Sequence, residues 1–90
     1  MATVHFTPHL KRYFPELRSC EIESASVAEL VKALDLRHAG LASYLVDDRG
    51  RLRQHVVIYV DKVAVFDRAT LSDALRSNSV VHVFQALSGG

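Results

Sequence analysis

The sequence predicts an α+β fold in which one main helix covers one face of a mixed sheet of four or five strands. Alternating or β-branched apolar segments indicate strands near both ends and in the middle of the chain. A single longer segment has apolar residues at helical spacing. A chain of 90 residues, 49% of them apolar, is also the size and composition of one compact domain.

The N-terminal segment is predicted to form a two-stranded hairpin. Residues 3–7 alternate apolar and polar side chains until Pro8 interrupts the run, so Val4 and Phe6 are expected to face the core. After a basic loop, residues 20–24 alternate again, with acidic side chains outward. We expect these two segments to pair as neighbouring strands.

The helix is predicted to begin at Ser26 and to end near Arg37 or His38. Ser26 and Glu29 form a capping box, in which each side chain accepts a hydrogen bond from a backbone N–H at the helix start. One apolar stripe at three- and four-residue spacing is formed by Val27, Leu30, Val31 and Leu34. This stripe is expected to cover one face of the sheet.

The second half of the chain is predicted to supply the remaining strands. Residues 52–60 are the most strongly β-prone and are expected to form the central strand. Their run Val56–Val60 does not alternate, so the pattern leaves its buried face open. The other predicted elements are a helical turn at 41–45, tight turns at 47–50 and 61–62, a short strand at 63–66, a helical turn at 71–75 and a last strand at 80–87.

This order of elements is the β-grasp, or ubiquitin-like, arrangement. A ferredoxin-like fold is the alternative, but it requires a second full helix before the last strand, and residues 67–78 are too short and too polar for one. The predicted domain spans residues 1–87. Residues 88–90 are expected to form a flexible C-terminal tail.

Composition argues against several classes of partner. Eleven Lys and Arg against ten Asp and Glu give a net charge of +1, so no global field attracts nucleic acid or an anionic membrane. The basic residues at 49–53 are interpreted as a solvated loop. No apolar run approaches the ~20 residues that cross a bilayer, and the N-terminus lacks an export signal. With a single cysteine, Cys20, a cytoplasmic location is expected.

The sequence contains no recognisable catalytic or metal-binding constellation. It has no Ser-His-Asp set, no phosphate-binding glycine loop and no paired carboxylates, and its histidines lack the spacing of metal ligands. Cys20 lies in a predicted strand, which favours a buried, inert thiol. We therefore expect a non-catalytic carrier or small subunit with no metal and no permanently bound cofactor.

The candidate reactive group is the C-terminal carboxylate of Gly90. The pair Gly89-Gly90 follows the predicted last strand closely, so no side chain lies near the carboxylate. Ser88 and Gly89 are expected to thread a narrow tunnel in a partner enzyme. A carboxylate is a poor electrophile, so it must first become a mixed anhydride, most simply an acyl-adenylate made from ATP. It can then receive sulfur as a thiocarboxylate.

A docking surface is predicted beside this tail. His5, His82 and Phe84 are expected on the outer face of adjacent strands, opposite the helix. An exposed aromatic ring next to a reactive tail provides apolar area that a partner can bury. We therefore predict that these residues, together with Leu87, bind the partner; burial of Phe84 under a loop is the alternative.

The segment from Val80 to Gly90, VVHVFQALSGG, resembles the closing strand and tail of the ThiS/MoaD family, the ubiquitin-like sulfur carriers of thiamine and molybdenum-cofactor synthesis. Residues 52–61 resemble the family's central strand, and the Ser26 to Leu34 helix with the N-terminal strand matches its opening. The resemblance implies a β-grasp fold. It also implies that an E1-like enzyme uses ATP to adenylate Gly90 and that a sulfurtransferase or cysteine desulfurase supplies sulfur.

The acceptor implied by the resemblance is an enzyme such as thiazole synthase or the large subunit of molybdopterin synthase. Gln85-Ala86-Leu87 stands where prolines are frequent in the molybdopterin-synthase subunits, so the pathway stays open. Two other functions fit the same features. The chain could be a ubiquitin-like modifier joined through Gly90 to lysines of other proteins, or a β-grasp module that binds its partners without covalent chemistry.

Overall fold

The computed structural model describes residues 1–8 and 10–85. Its elements are β1 (Ala2–Phe6), a 3-10 turn (Leu10–Arg12), β2 (Cys20–Ile22), α1 (Val27–Arg37), α2 (Leu41–Leu45), β3 (Val56–Val60), β4 (Val63–Ala64) and β5 (Val80–Gln85). The strands form one sheet in the order β2-β1-β5-β3-β4. β1 and β5 are parallel and the other neighbours are antiparallel. The predicted α+β architecture, a mixed sheet with one main helix, is confirmed.

The predicted N-terminal hairpin is present. β1 and β2 are antiparallel, with Val4 opposite Cys20. Val4 is buried in the core, and Phe6 and Cys20 pack against it from partly buried positions. β2 ends at Ile22, two residues earlier than predicted, because the chain leaves the sheet there to reach the start of α1.

The main helix begins where the sequence predicts. Ser26 is the N-cap, and its hydroxyl accepts a hydrogen bond from the N–H of Glu29 at 3.3 Å. The Glu29 carboxylate accepts one from the N–H of Ala25 at 2.9 Å. The whole predicted apolar stripe is buried and shares one core with the inner face of the sheet. No helix in residues 1–8 and 10–85 has the length and apolar content that crossing a bilayer requires.

β5 is the middle strand of the sheet. It pairs with β1 on one side, where His82 lies opposite His5, and with β3 on the other, where Phe84 lies opposite Val57. Its inner-face residues Val81 and Val83 are buried, as the alternation predicts. The C-terminal strand is therefore hydrogen-bonded along both edges.

β3 is shorter than predicted, and it is not the middle strand. It begins at Val56, whereas Leu52 forms an isolated bridge with Val46. The N–H of Val56 donates to the carbonyl of Arg53 at 3.0 Å, so the chain turns immediately before the strand. Val56 and Ile58 are buried, which identifies the face that packs on the core.

The predicted helical turn at residues 71–75 is wrong. Leu71 has a φ of 55°, and the segment runs across the start of α1 instead. The carbonyls of Leu71 and Asp73 accept hydrogen bonds from the N–H groups of Ala28 and Val27 at 2.9 and 3.0 Å. A helix leaves such N–H groups unpaired in its first turn. Because no helix forms between β4 and β5 in the described residues, the ferredoxin-like alternative is excluded.

The loop between β4 and residue 73 is held by two carboxylates. Asp73 accepts hydrogen bonds from the N–H groups of Phe66 and Asp67 at 2.9 and 2.8 Å. Asp67 accepts from the Ser72 hydroxyl at 2.5 Å and from both the hydroxyl and the N–H of Thr70. These hydrogen bonds, with the two hydroxyls dominant, hold the pKa of the Asp67 carboxyl well below its usual range.

This low pKa makes part of the fold's stability depend on pH. A carboxyl whose pKa is lower in the folded than in the unfolded chain stabilises the fold above its unfolded pKa of about 3.9, and loses that effect as the pH falls further. Asp67→Asn should therefore lower the melting temperature near neutral pH. The gap between wild type and variant should shrink steadily as the pH falls below about 4.

Thermal unfolding followed by circular dichroism across this pH range measures the gap. The matched control is Asp48→Asn, which removes an exposed carboxylate from another turn and should change the melting temperature little. A gap for Asp67→Asn that stays constant down to strongly acidic pH would contradict this account of the loop.

Candidate functional site

The outer face of the sheet carries a row of ring side chains across three neighbouring strands. His82 on β5 lies opposite His5 on β1 and opposite Tyr59 on β3. The His5 and His82 rings stack, with centroids 5.0 Å apart and an interplanar angle of 23°. The sheet pairing therefore brings together two histidines that are distant in sequence.

Phe84 extends this row along β5. Its ring stacks on His82 with a centroid distance of 6.2 Å and meets Tyr59 edge to face at 5.5 Å. Phe84 is 43% exposed, so it is not covered by a loop. We call His5, Tyr59, His82 and Phe84 the outer-face aromatic cluster.

A hydrogen bond fixes one end of the cluster. The His5 Nδ1 atom and the Ser19 hydroxyl are 2.8 Å apart. Ser19 directly precedes β2, so the neighbouring strand orients the His5 ring. The cluster is thus supported by contacts from β1, β5, β3 and the start of β2.

A shallow depression of about 330 Å³ adjoins the cluster. Its lining residues are His55, Val57, Tyr59, Phe84 and Gln85. Gln85 is the last described residue of the chain, and it lies opposite Val56 at the start of β3. The depression is therefore next to the point where β5 ends.

The structure places the predicted site residues in two groups. His5, His82 and Phe84 lie together on the outer face, as described above. Leu87, Ser88, Gly89 and Gly90 lie outside the described residues. The predicted binding roles of these residues, and the predicted reactivity of Gly90, remain predictions.

Sequence reasoning missed Tyr59, Val57 and His55. Tyr59 and Val57 lie in the uninterrupted run Val56–Val60, which gives no periodicity from which to assign a face. The register with β5 makes the assignment, because Val57 lies opposite Phe84 and Tyr59 opposite His82. The one local signal for a binding role in this run was the aromatic side chain of Tyr59.

The described residues do not assemble a metal site. Within residues 1–8 and 10–85 no group of three or more His, Cys, Asp or Glu side chains is arranged to hold an ion. Beside the stacked pair of His5 and His82, the polar neighbour is the Ser19 hydroxyl, 2.8 Å from His5 Nδ1. Cys20 is half-buried and lies opposite Val4, against the core.

Solved structures similar to this chain share its fold over nearly its full length. A chain of the Amycolatopsis orientalis BexX/CysO complex is 25% identical, with 100% of both chains covered and a TM-score of 0.85. Mycobacterium tuberculosis CysO is 21% identical over 97% of this chain and 100% of its own, with a TM-score of 0.83. SAMP1 from Haloferax volcanii is 23% identical over 99% and 98%, with a TM-score of 0.78.

These likenesses confirm the ubiquitin-like β-grasp fold. No curated protein sequence matches the chain. A family model does match, and its match runs from residue 12 to residue 90. It therefore includes the main helix, β3, β5 and the terminal Gly-Gly. The chain belongs to the ThiS family, whose members are ubiquitin-like sulfur carriers.

Proposed function

We propose that this protein carries sulfur on the C-terminal carboxylate of Gly90. The observation that carries the proposal is the family match, which extends through the final residue and so includes the Gly-Gly terminus. The likeness to a chain of the BexX/CysO complex, over the full length of both chains, supports it as well. The reactive group is then the main-chain terminus and not a side chain.

The chemistry takes two steps, both performed on Gly90 by partner enzymes. In the first, a carboxylate oxygen attacks the α-phosphorus of ATP and pyrophosphate leaves, which gives an acyl-adenylate. An E1-like adenylating enzyme would catalyse this step. In the second, the terminal sulfur of a persulfide on a sulfurtransferase or cysteine desulfurase attacks the carbonyl carbon and AMP leaves, which gives an acyl disulfide. A thiol then attacks the enzyme-side sulfur of that bond, forms a disulfide with it and releases the thiocarboxylate. The resulting thiocarboxylate donates its sulfur to a substrate held by an acceptor enzyme.

The tail is suited to delivery into an enclosed active site. Five residues separate Gln85 from the chain end, and an extended segment of that length spans about 17 Å. Glycine at positions 89 and 90 keeps the reacting carbon free of neighbouring side chains. Ser88, the first residue of the tail, is also small. Leu87 would contact the partner where the tail leaves the domain.

The outer-face aromatic cluster would provide the docking surface. Two of its residues, His82 and Phe84, lie on β5, the strand that precedes the tail in sequence, so a partner that binds the cluster would also position the tail. The adjoining depression offers apolar walls at Val57, Tyr59 and Phe84 for a side chain of the partner. Docked aromatic anchors of this kind dominate the binding energy of small interfaces.

A second candidate function is conjugation of Gly90 to lysines of other proteins. It is favoured by the likeness to structures described as small archaeal modifier protein 1, one of them 20% identical with a TM-score of 0.75. Both functions begin with the adenylate. They differ in the nucleophile, since a lysine amine yields a conjugate of higher mass and a sulfur donor yields a thiocarboxylate.

The proposal makes adenylation dependent on a free C-terminus. A peptide fused after Gly90 removes the carboxylate that attacks ATP, so the fused protein should support no ATP–pyrophosphate exchange with its E1-like enzyme. The same peptide fused before Met1 is the matched control and should leave exchange intact. Melting temperatures check that both fusions fold. In the N-terminal fusion the Met1 nitrogen, which donates to the carbonyl of Ser77, stays a donor as an amide N–H.

Exchange that persists in the C-terminally fused protein would contradict the proposal. Deletion of Gly89 and Gly90 separates the two candidate functions from a module that binds without covalent chemistry. A carrier or modifier loses activity on deletion, whereas such a module keeps its binding and its cellular phenotype.

Docking through the aromatic cluster predicts a loss of affinity in Phe84→Ala. An anchoring aromatic residue removed from a small interface typically costs about 2 kcal/mol, or about thirtyfold in Kd. The control is Leu36→Ala, which removes an apolar side chain that is 89% exposed on α1, in the layer opposite the outer face. Titration calorimetry against the E1-like enzyme measures both affinities, and circular dichroism establishes that both variants fold. Equal affinity of Phe84→Ala and wild type would remove Phe84 from the docking surface.

A further inference from the structure

Four arginines gather where the chain approaches β3. Arg49, Arg51 and Arg53 come from the segment between α2 and β3, and Arg68 comes from the loop after β4. Arg51, Arg53 and Arg68 line one depression of about 670 Å³, and Arg49 lines a second depression next to it together with Arg51 and Arg53. We call these four residues the arginine cluster. The sequence pattern alone indicated a solvated loop.

Backbone contacts hold the cluster in place. The N–H of Leu52 donates to the carbonyl of Arg68 at 2.8 Å, which joins the two segments. An Arg68 Nη atom donates to the carbonyl of Arg53 at 2.7 Å, and the Arg53 Nε atom donates to the carbonyl of Ser43 at 2.8 Å. Two of the four guanidinium groups are thereby fixed to the fold and not free in solvent.

The positive charge of the cluster is only partly compensated, because two carboxylates, Asp47 and Asp48, lie beside four arginines. In the part of the chain that the structure describes, the single ion pair joins Arg51 Nε to Asp47 Oδ2 at 3.2 Å. Asp47 also accepts hydrogen bonds from the backbone N–H groups of Arg51 and Arg49. These hydrogen bonds, chiefly the one from Arg51, lower the pKa of the Asp47 carboxyl. Arg53 and Arg68 each contact a neutral carbonyl through one nitrogen. Their other N–H donors remain available for an external carboxylate.

The arginine cluster lies close to Gln85, the last described residue before the C-terminal tail. The antiparallel register sets Val56, the first residue of β3, opposite Gln85, the last described residue of β5. Arg51 and Arg53 precede Val56 by a few residues. His55 lines both the arginine depression and the depression beside the aromatic cluster, so the two surfaces are continuous. A partner that binds the sheet at the end of β5 would therefore lie close to the arginines as well.

We infer that the arginine cluster is a second docking contact, received by a carboxylate-rich rim around the tail entrance of the E1-like adenylating enzyme. This inference rests on the proposed function. Arginine pairs with carboxylates through two parallel hydrogen bonds, which fixes orientation as well as adding attraction. Complementary charge around the entrance would also speed the association of the carrier with the enzyme, because the carrier's tail must enter a narrow opening.

An acidic protein surface fits the cluster better than a nucleic-acid backbone. Asp47 and Asp48 line the same depression as Arg49, Arg51 and Arg53. A continuous run of phosphates would meet these carboxylates with repulsion. A protein can instead place a basic or neutral residue against them while its carboxylates contact the arginines. The net charge of the whole chain is only +1, which also gives little general attraction for polyanions.

The test compares charge removal with charge conservation. The neutralising variants are Arg53→Gln/Arg68→Gln and, in case loss of the carbonyl contacts unfolds that variant, Arg49→Gln/Arg51→Gln. Arg53→Lys/Arg68→Lys keeps the charge. The matched control, Lys32→Gln/Arg37→Gln, removes two charges from α1 in the opposite layer. Melting temperatures establish which variants fold, and surface plasmon resonance gives rates of association with the E1-like enzyme encoded by the same organism.

The neutralising variants should bind about tenfold more weakly than wild type at about 0.05 M salt, mostly through slower association. The difference should nearly vanish at about 0.5 M salt, where the screening length is about 4 Å. The lysine variant should keep most of the affinity, and the α1 control should bind like wild type. Unchanged affinity in a folded neutralising variant, or a loss equal at both salt concentrations, would overturn the inference.

Two further measurements keep the inference apart from the proposed function. If wild type supports ATP–pyrophosphate exchange and the neutralising variants bind equally well, the proposed function stands and only the arginine inference fails. If wild type supports no exchange, both fail. The second measurement uses a single-stranded DNA oligonucleotide as the probe. If the neutralising variants lose affinity for DNA but keep their affinity for the enzyme, the cluster binds phosphate and the inference is overturned.

Discussion

The position of β5 in the middle of the sheet is the constraint on which the other features depend. β5 is hydrogen-bonded to β1 on one edge and to β3 on the other, and it buries Val81 and Val83. A strand held on both edges opens only when much of the sheet opens. Chain termini are often poorly ordered, but β5 is paired on both edges as far as Gln85. The position of Gln85 is therefore fixed relative to the rest of the domain.

Two surfaces follow from the register of that strand. Its outward side chains, His82 and Phe84, meet His5 and Tyr59 from the neighbouring strands. Its last described residue, Gln85, lies beside the start of β3, where the arginine cluster approaches the sheet. One register thus places an apolar and a basic surface near Gln85, at the end of β5. In the proposed function, the folded domain binds the partner and Gly90 carries the chemistry.

The sequence predicted elements whose signals are local and failed where distant backbone groups decide. The capping box at Ser26 and the alternation in β5 depend on neighbouring residues, and both were read correctly. The segment at 71–75 has the composition of a helical turn, but its carbonyls are required by the first N–H groups of α1. The arginine cluster could not be predicted because Arg68 reaches Arg53 only through the loop after β4. The reactive role of Gly90 stays a prediction, because residues 86–90 lie outside the described part of the chain.

Intact-mass spectrometry of the protein purified from its native host shows directly whether Gly90 carries sulfur. We expect a fraction whose mass is increased by the difference between one sulfur and one oxygen atom, with fragmentation locating the change at Gly90. A persulfide on Cys20 would instead add the mass of a whole sulfur atom, so the two sites are distinguishable. Protein that stays unmodified at Gly90 when its E1-like enzyme, ATP and a sulfur donor are all supplied would contradict the account.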